Sequence, residues 1–317
     1  MEFRWIMDFV HKPVLFDEVI ENLNIRPSKI YLDGTLGGAG HSSEILRRLC
    51  GDGLLIGLDQ DEKAIEVSRE RLEKIGSNFK LFNTNYENFE AVLDGLGIDK
   101  LDGILLDLGV SSYQFDMKER GFSYRLDSRL DMRMDRKQEF SAWDIVNKYS
   151  EGEIARILLV YGEERWARRI ANFIVKKREE KPIDTTFELV EIIKAAIPKK
   201  VRREGSHPAK KTFQALRIET NHELDVLKKS LGKMIDRLNP GGRICVISFH
   251  SLEDHLVKDI FKYYYLDCVC PPEIPVCICD KKREIEIISK NPILPSDEEI
   301  LYNNRSRSAK LRVAEKL

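Results

Sequence analysis

No stretch of the 317 residues approaches 18 consecutive apolar positions, so a membrane span is not expected. The first ten residues mix acids with apolar side chains, and no leader peptide is expected there. A cytoplasmic protein is therefore expected, and in that reducing compartment disulfides are not. An excess of charge is missing too. The 52 Lys and Arg stand against 53 Asp and Glu, and a net charge of −1 supplies no global field for nucleic acid. Two nucleotide signatures are absent. The dinucleotide pattern G-x-G-x-x-G fails because Gly38-x-Gly40 is followed by Ser43 where its third glycine belongs. The phosphate cradle G-x-x-x-x-G-K-[ST] does not occur.

What is present is Asp33-Gly-Thr-Leu-Gly-Gly-Ala-Gly-His41, flanked by an apolar strand pattern at Lys29–Leu32 and an amphipathic helix pattern at Ser42–Leu49. A strand, a glycine-rich turn and a helix N-terminus let backbone amides approach a ligand closely. Asp59 ends the next strand pattern, where an acid can accept from both hydroxyls of a ribose. The run opens on an acid, giving D-x-T-x-G-x-x-G. It resembles the first motif of S-adenosylmethionine-dependent methyltransferases. A carboxylate there suits a ligand carrying an ammonium and a sulfonium and would repel a pyrophosphate.

Hydrophobic residues make up 42% of the chain, enough for an ample core. Strand patterns at Ile30–Asp33, Leu54–Asp59, Phe79–Asn83 and Ile104–Leu108 alternate with helical ones at Ser42–Leu49, Glu62–Ile75 and Phe89–Leu96. The alternation predicts an α/β fold with a Rossmann-like parallel sheet, covered by helices on both faces. It places Asp33, Asp59 and Asp107 at the ligand-binding carboxyl ends of strands. After Asp107 the pattern turns helical, through Ser141–Lys148, Glu151–Tyr161, Glu163–Arg178 and Thr186–Ala196. One long helix is expected over Thr212–Leu238, ended by Asn239-Pro-Gly-Gly242. A buried strand follows at Arg243–Phe249, then a helix at Leu252–Tyr265 and a last antiparallel pair, Ile285–Ser289 with Leu311–Ala314. The expected organisation is a cofactor-binding domain, 1–114 with 212–317, carrying an inserted helical domain, 115–211.

Basic residues cluster in Lys199–Lys211 and in the tail, at Arg305, Arg307, Lys310, Arg312 and Lys316. Such clusters either track a phosphate backbone or form solvated faces. Of the six cysteines, Cys50 and Cys245 read as small hydrophobes in core elements. Cys268, Cys270, Cys277 and Cys279 lie on a proline-bearing loop and are either simple reduced thiols or a tetrahedral zinc set.

The pattern becomes specific at Leu106-Asp-Leu-Gly-Val-Ser-Ser-Tyr-Gln114, Leu130-Asp-Met-Arg-Met-Asp135, Tyr161-Gly-Glu-Glu-Arg165, Thr212–Ile218, Ser248-Phe-His-Ser-Leu-Glu-Asp254 and Arg305–Arg312. Together with His11–Leu15 and Asp33–Ser42, these segments resemble the RsmH (MraW) family. That family comprises bacterial methyltransferases acting on the N4 amino group of a decoding-region cytosine in 16S ribosomal RNA of the small subunit. The resemblance implies S-adenosylmethionine as cofactor. Gly38, Ala39, Gly40 and His41 would line it, Asp59 would hold its ribose, Tyr86 would lie against its adenine, and Asp107 and Gln114 would complete the pocket. Asp107 is also the catalytic candidate, as an acceptor for N4. Lys211, Phe249 and His250 are candidates for the RNA substrate. Phe249 would stack on a flipped base and His250 relay a proton, unless the first is core and the second a helix cap. No Pro-Cys lies near the fourth strand, which disfavours methylation at carbon-5 through a cysteine nucleophile. Two other readings remain on the residues alone: a nicotinamide-dependent reductase on the same sheet, and an RNA-binding assembly factor that only senses the cofactor.

Overall fold

The computed structural model describes residues 13–111, 114–115, 117–203, 207–271, 273 and 276–317. The segment read for a leader, residues 1–10, lies outside these, as do residues 11, 12, 112 and 113 of the family motifs. The chain divides into two compact units, Met1–Leu108 with Lys229–Leu317, and Gly109–Lys228.

In the first unit α1 (Phe16–Asn22) precedes three β-then-α steps: β1 (Ile30–Asp33), α2 (Gly40–Leu49), β2 (Leu54–Asp59), α3 (Glu62–Glu73), β3 (Phe79–Asn83) and α4 (Phe89–Leu96). β4 (Leu101–Asp107) completes a parallel set in the order β3-β2-β1-β4. β1, β2 and β4 are buried along nearly their whole length, as strands covered on both faces must be. Asp33, Asp59 and Asp107 are the last residues of these strands, as the alternation predicts. Gly103 of β4 has a packing reason: a Cβ there would stand 2.5 Å from the Tyr31 ring.

The second unit holds α5 (Ala142–Lys148), α6 (Glu151–Val160), α7 (Ala167–Arg178), α8 (Thr186–Ala196), α9 (Lys199–Arg203) and α10 (Lys210–Asn221). Capping boxes start three of these helices, with Ser141 and Asp144 at the head of α5. Ser150 and Glu153 exchange bonds at the head of α6, and Thr185 and Glu188 at the head of α8. Ile154, Ile157, Ile170, Ile174, Leu189 and Ile193 build its core. Phe213 and Leu216 of α10 belong to the same core, so the helical unit runs past residue 211, where the sequence pattern ended it.

The expected long helix over Thr212–Leu238 is broken. His222 has φ 51°, and a second helix, α11 (Glu223–Asp236), begins after it. The cause lies far away in sequence. The buried Asn221 amide donates to the Met132 carbonyl and its oxygen accepts from Met134 N, both at 2.8 Å.

β5 (Leu238–Ser248) starts earlier than expected, with Asn239–Gly242 inside the strand beside a register shift between Leu101 and Gly103. It runs parallel to β4. α12 (Ser251–Tyr265), β6 (Ile285–Ile287), α13 (Asp297–Tyr302) and β7 (Lys310–Lys316) follow. β7 lies antiparallel between β5 and β6, so the expected final pair forms and closes a seven-stranded sheet. Cys245 is buried in β5, but Cys50 is exposed, because it follows the last turn of α2 instead of lying within it. Among the described residues no helix is long and apolar enough to cross a membrane.

Candidate active site

The glycine turn is stitched to the strands on either side. Gly34 N donates to the Leu105 carbonyl at 2.9 Å and Leu36 N to the Leu58 carbonyl at 3.0 Å. Gly34 has no room for a side chain, since a Cβ would lie 2.6 Å from Leu106 and 3.2 Å from Tyr86. Gly37 takes φ 51°, a conformation that glycine adopts without steric cost. Ala39 adopts φ 55° at the head of α2, fully buried and without a side-chain cap. The Gly38 carbonyl accepts from Arg71 at 2.6 Å and the Gly37 carbonyl from Ser68 at 2.9 Å. Gly40 opens α2 against the Pro13 ring.

Three acids surround this turn. Asp33 is 2% exposed and accepts from Ser42 Oγ at 2.6 Å and Thr35 N at 3.1 Å. Burial still pushes its carboxyl up to about 6. Asp59 accepts from Gly37 N and Asp61 N, both at 2.8 Å, and burial raises it to about 6 as well. Asp107 is pushed furthest, up to about 8, by burial and then by the charges of Asp33 and Glu253. Its amide donates to Thr35 Oγ1 at 2.6 Å, but the buried Oδ1 has no hydrogen-bond partner. Among the described residues no lysine or arginine pairs with any of the three. A buried carboxylate oxygen without a donor is costly, so the arrangement suits a cationic ligand that brings donors with it.

His41 supplies no positive charge. Burial holds its imidazole down to about 4. Nε2 lies 3.1 Å from the Val14 carbonyl, which only a protonated nitrogen can satisfy, so Nδ1 is bare. Nδ1 stands 3.9 Å from Asp107 Oδ2, and the ring stacks on Phe16 at 5.9 Å. Tyr86 follows β3 in a 3-10 turn, Tyr86–Asn88, and packs beside Gly34.

His250 caps α12. Its Nδ1 accepts from Glu253 N at 3.4 Å, and its Nε2 lies 3.1 Å from Glu253 Oε1. Phe249 is partly buried against the sheet core, and its amide donates to Glu253 Oε2 at 2.8 Å. Of the two readings of this pair, core and cap is what the local contacts support.

Gln114 belongs to the helical unit, where its Oε1 accepts from Ser111 N and its backbone N–H donates to Ser111 Oγ, both at 3.2 Å. Lys211 is in that unit too, its ammonium donating to the Glu163 carbonyl at 2.7 Å. The basic tail is partly spent inside the fold. Asp254 binds Lys310 at 2.9 Å and the buried Arg312 at 2.6 Å, and these charges hold the Asp254 carboxyl below its usual range against burial. Arg312 is therefore held in an internal ion pair.

Sequence reasoning missed Thr35, Ser42 and Glu253. The first two had a signal, because they are the hydroxyls of the glycine run itself. Glu253 also had one: His250-Ser-Leu-Glu253 has the spacing of a capping box, with His at the cap position in place of Ser or Thr.

A family model described as the MraW methylase family matches residues 8–317. Among curated proteins the chain is 58% identical over 313 residues to the ribosomal RNA small subunit methyltransferase H of Lachnospira eligens, covering 99% of each chain. It is 56% identical over 311 residues to that of Clostridioides difficile, covering 98% of this chain and 100% of the relative. It is 58% identical over 312 residues to that of Finegoldia magna, with the same coverage.

Proposed function

This chain belongs to the MraW methylase family, and on that premise we propose that it methylates the N4 amino group of a cytosine in the 16S RNA of the small ribosomal subunit, in the cytoplasm. It is an S-adenosylmethionine-dependent methyltransferase. The observation that carries the reading is the set of three acids at the carboxyl ends of β1, β2 and β4, paired with no lysine or arginine among the described residues, around a turn with no room for a side chain at Gly34. That set fits a ligand bearing a sulfonium and an ammonium, and it would repel a pyrophosphate.

When bound, the cofactor supplies a sulfonium-activated methyl carbon for in-line displacement. The chain's own residues orient and hold. Gly38, Ala39, Gly40 and His41 would line the cofactor at the turn. Asp59 would accept from the ribose hydroxyls, and Tyr86 would lie against the adenine. The unpartnered Oδ1 of Asp107 would take a hydrogen bond from the ligand's ammonium. The neutral His41 adds no repulsion to that cation.

An exocyclic nitrogen is favoured over ring carbon-5 because the cysteine in the neighbouring strand cannot act as nucleophile. Cys245 is buried within β5 and its thiol is pushed up to about 12. RNA digested after reaction of small subunits with methyl-labelled cofactor should carry the label on N4 of cytidine. Label on carbon-5, or none on RNA, would refute the assignment.

The helical region 115–211 is the proposed RNA-reading part. Lys199 and Lys200 are exposed on α9, whereas the Arg203 side chain and Glu204 lie outside the described residues. Replacing both lysines by Ala should weaken RNA binding several-fold and lower the slope of log K against log salt by about 1.5. Cofactor affinity should not change. A slope identical to wild type would mark these charges as a solvated face.

A further inference from the structure

The loop between α12 and β6 takes no part in the site above, yet it gathers four thiols. The sulfurs of Cys268, Cys270, Cys277 and Cys279 all lie within 4.8 Å of one another. Cys268 Sγ is 3.4 Å from Cys277 Sγ and 3.8 Å from Cys279 Sγ, and the sulfurs of Cys277 and Cys279 are 3.5 Å apart. A disulfide would bring a pair to about 2.05 Å, so the thiols are unbonded.

We propose that Cys268, Cys270, Cys277 and Cys279 bind one zinc ion in a closed tetrahedral site that staples this loop. Four sulfurs at about 2.3 Å from a central zinc stand about 3.8 Å apart, and the three separations above lie within a few tenths of an ångström of that edge. An iron–sulfur cluster would hold its cysteines further apart, around a multi-iron core, so the spacing fits a single ion.

The backbone points the same way. Val269 N–H donates to Cys279 Sγ at 3.4 Å, Cys270 N–H to Cys268 Sγ at 3.3 Å and Ile278 N–H to Cys270 Sγ at 3.4 Å. Amides aimed at sulfur stabilise thiolate charge without adding a competing proton. Hydrophobic burial does not explain the convergence, because the side chains between the cysteines stay in water: Val269 is 43% and Ile278 73% exposed. The base of the loop is anchored. Glu284 N donates to the Tyr264 carbonyl at 2.9 Å, and the Arg283 guanidinium lies 3.9 Å from the Tyr265 ring centre. A segment this small needs a cross-link or a metal to hold one conformation.

Binding exchanges the thiol protons for zinc, with up to four protons released and no change of oxidation state. Four protein ligands leave no open coordination position, so the site is structural and is separate from methyl transfer.

The test uses the full chain, purified without chelator from zinc-supplemented medium. Elemental analysis should find about one zinc per chain. Protein loaded with cobalt(II) instead should show sulfur-to-cobalt charge transfer and the intense visible bands of tetrahedral thiolate coordination. A Cys270→Ser, Cys277→Ser double variant should lose both signals while keeping S-adenosylmethionine affinity, and Cys50→Ser should keep both. Reduced wild-type protein that takes up neither zinc nor cobalt would overturn the proposal, and so would iron as the bound metal or a loop isolated as disulfides. These readouts come from wild-type protein, so they do not depend on the variant folding or on the methyl acceptor.

Discussion

Asp59→Ala should lower S-adenosylmethionine affinity by about 10²–10⁴-fold. Asp59 ends β2, and its carboxylate is held by the amides of Gly37 and Asp61. Each ribose hydroxyl it accepts from would add a charge-assisted hydrogen bond of about 1.5–3 kcal/mol, so losing two gives that range. The same substitution frees the Gly37 amide, so part of the loss comes from a loosened turn. Asp59→Asn separates the two contributions. It keeps a carbonyl oxygen for Gly37 and should lose only about tenfold. Calorimetric titration of both variants, with circular dichroism as a control for folding, is the measurement. Wild-type affinity in Asp59→Ala would remove this acid from the ribose.

Asp107→Asn should change the pH dependence of binding as well as its strength. With its carboxyl pushed up to about 8, Asp107 is mostly protonated in the free protein at neutral pH. A ligand ammonium that needs the carboxylate must displace that proton. Wild-type affinity should therefore rise with pH by close to tenfold per unit between about pH 6 and 7.5. The Asn variant cannot ionise, so its affinity should stay nearly flat over the upper part of this range. The deficit should be about tenfold at pH 7.5 and should shrink as pH falls. Titrations in buffers of different ionisation enthalpy should show proton release in wild type that the variant lacks. The methylation rate at saturating cofactor should recover. A rate constant reduced by about 10²–10⁴ with normal affinity would instead place the carboxylate on the acceptor amino group.

The three acids show how far sequence reaches into this site. Their positions at strand ends were legible, because the alternation of apolar runs, the glycine turn and the amphipathic helices are local patterns set by backbone geometry and side-chain period. Their ionisation was not legible. The shift at Asp107 arises from burial and from Asp33 and Glu253, which lie in strands and helices distant along the chain. The same division runs through the rest of the molecule. The helix over Thr212–Leu238 has an unbroken local pattern, but Asn221 binds a backbone segment 87 and 89 residues earlier and interrupts it. Arg312 reads as one charge in a basic tail, yet Asp254, 58 residues away, takes it into an internal pair. Cysteine spacing left both free thiols and a metal site open, and only folding set the four sulfurs within bonding reach of one ion. Periodicity, turn chemistry and motif spacing act over a few residues, so the α/β sheet, the glycine turn and the family could be read along the chain. Burial, electrostatic neighbours and long-range hydrogen bonds depend on which distant segments meet, and these follow from folding.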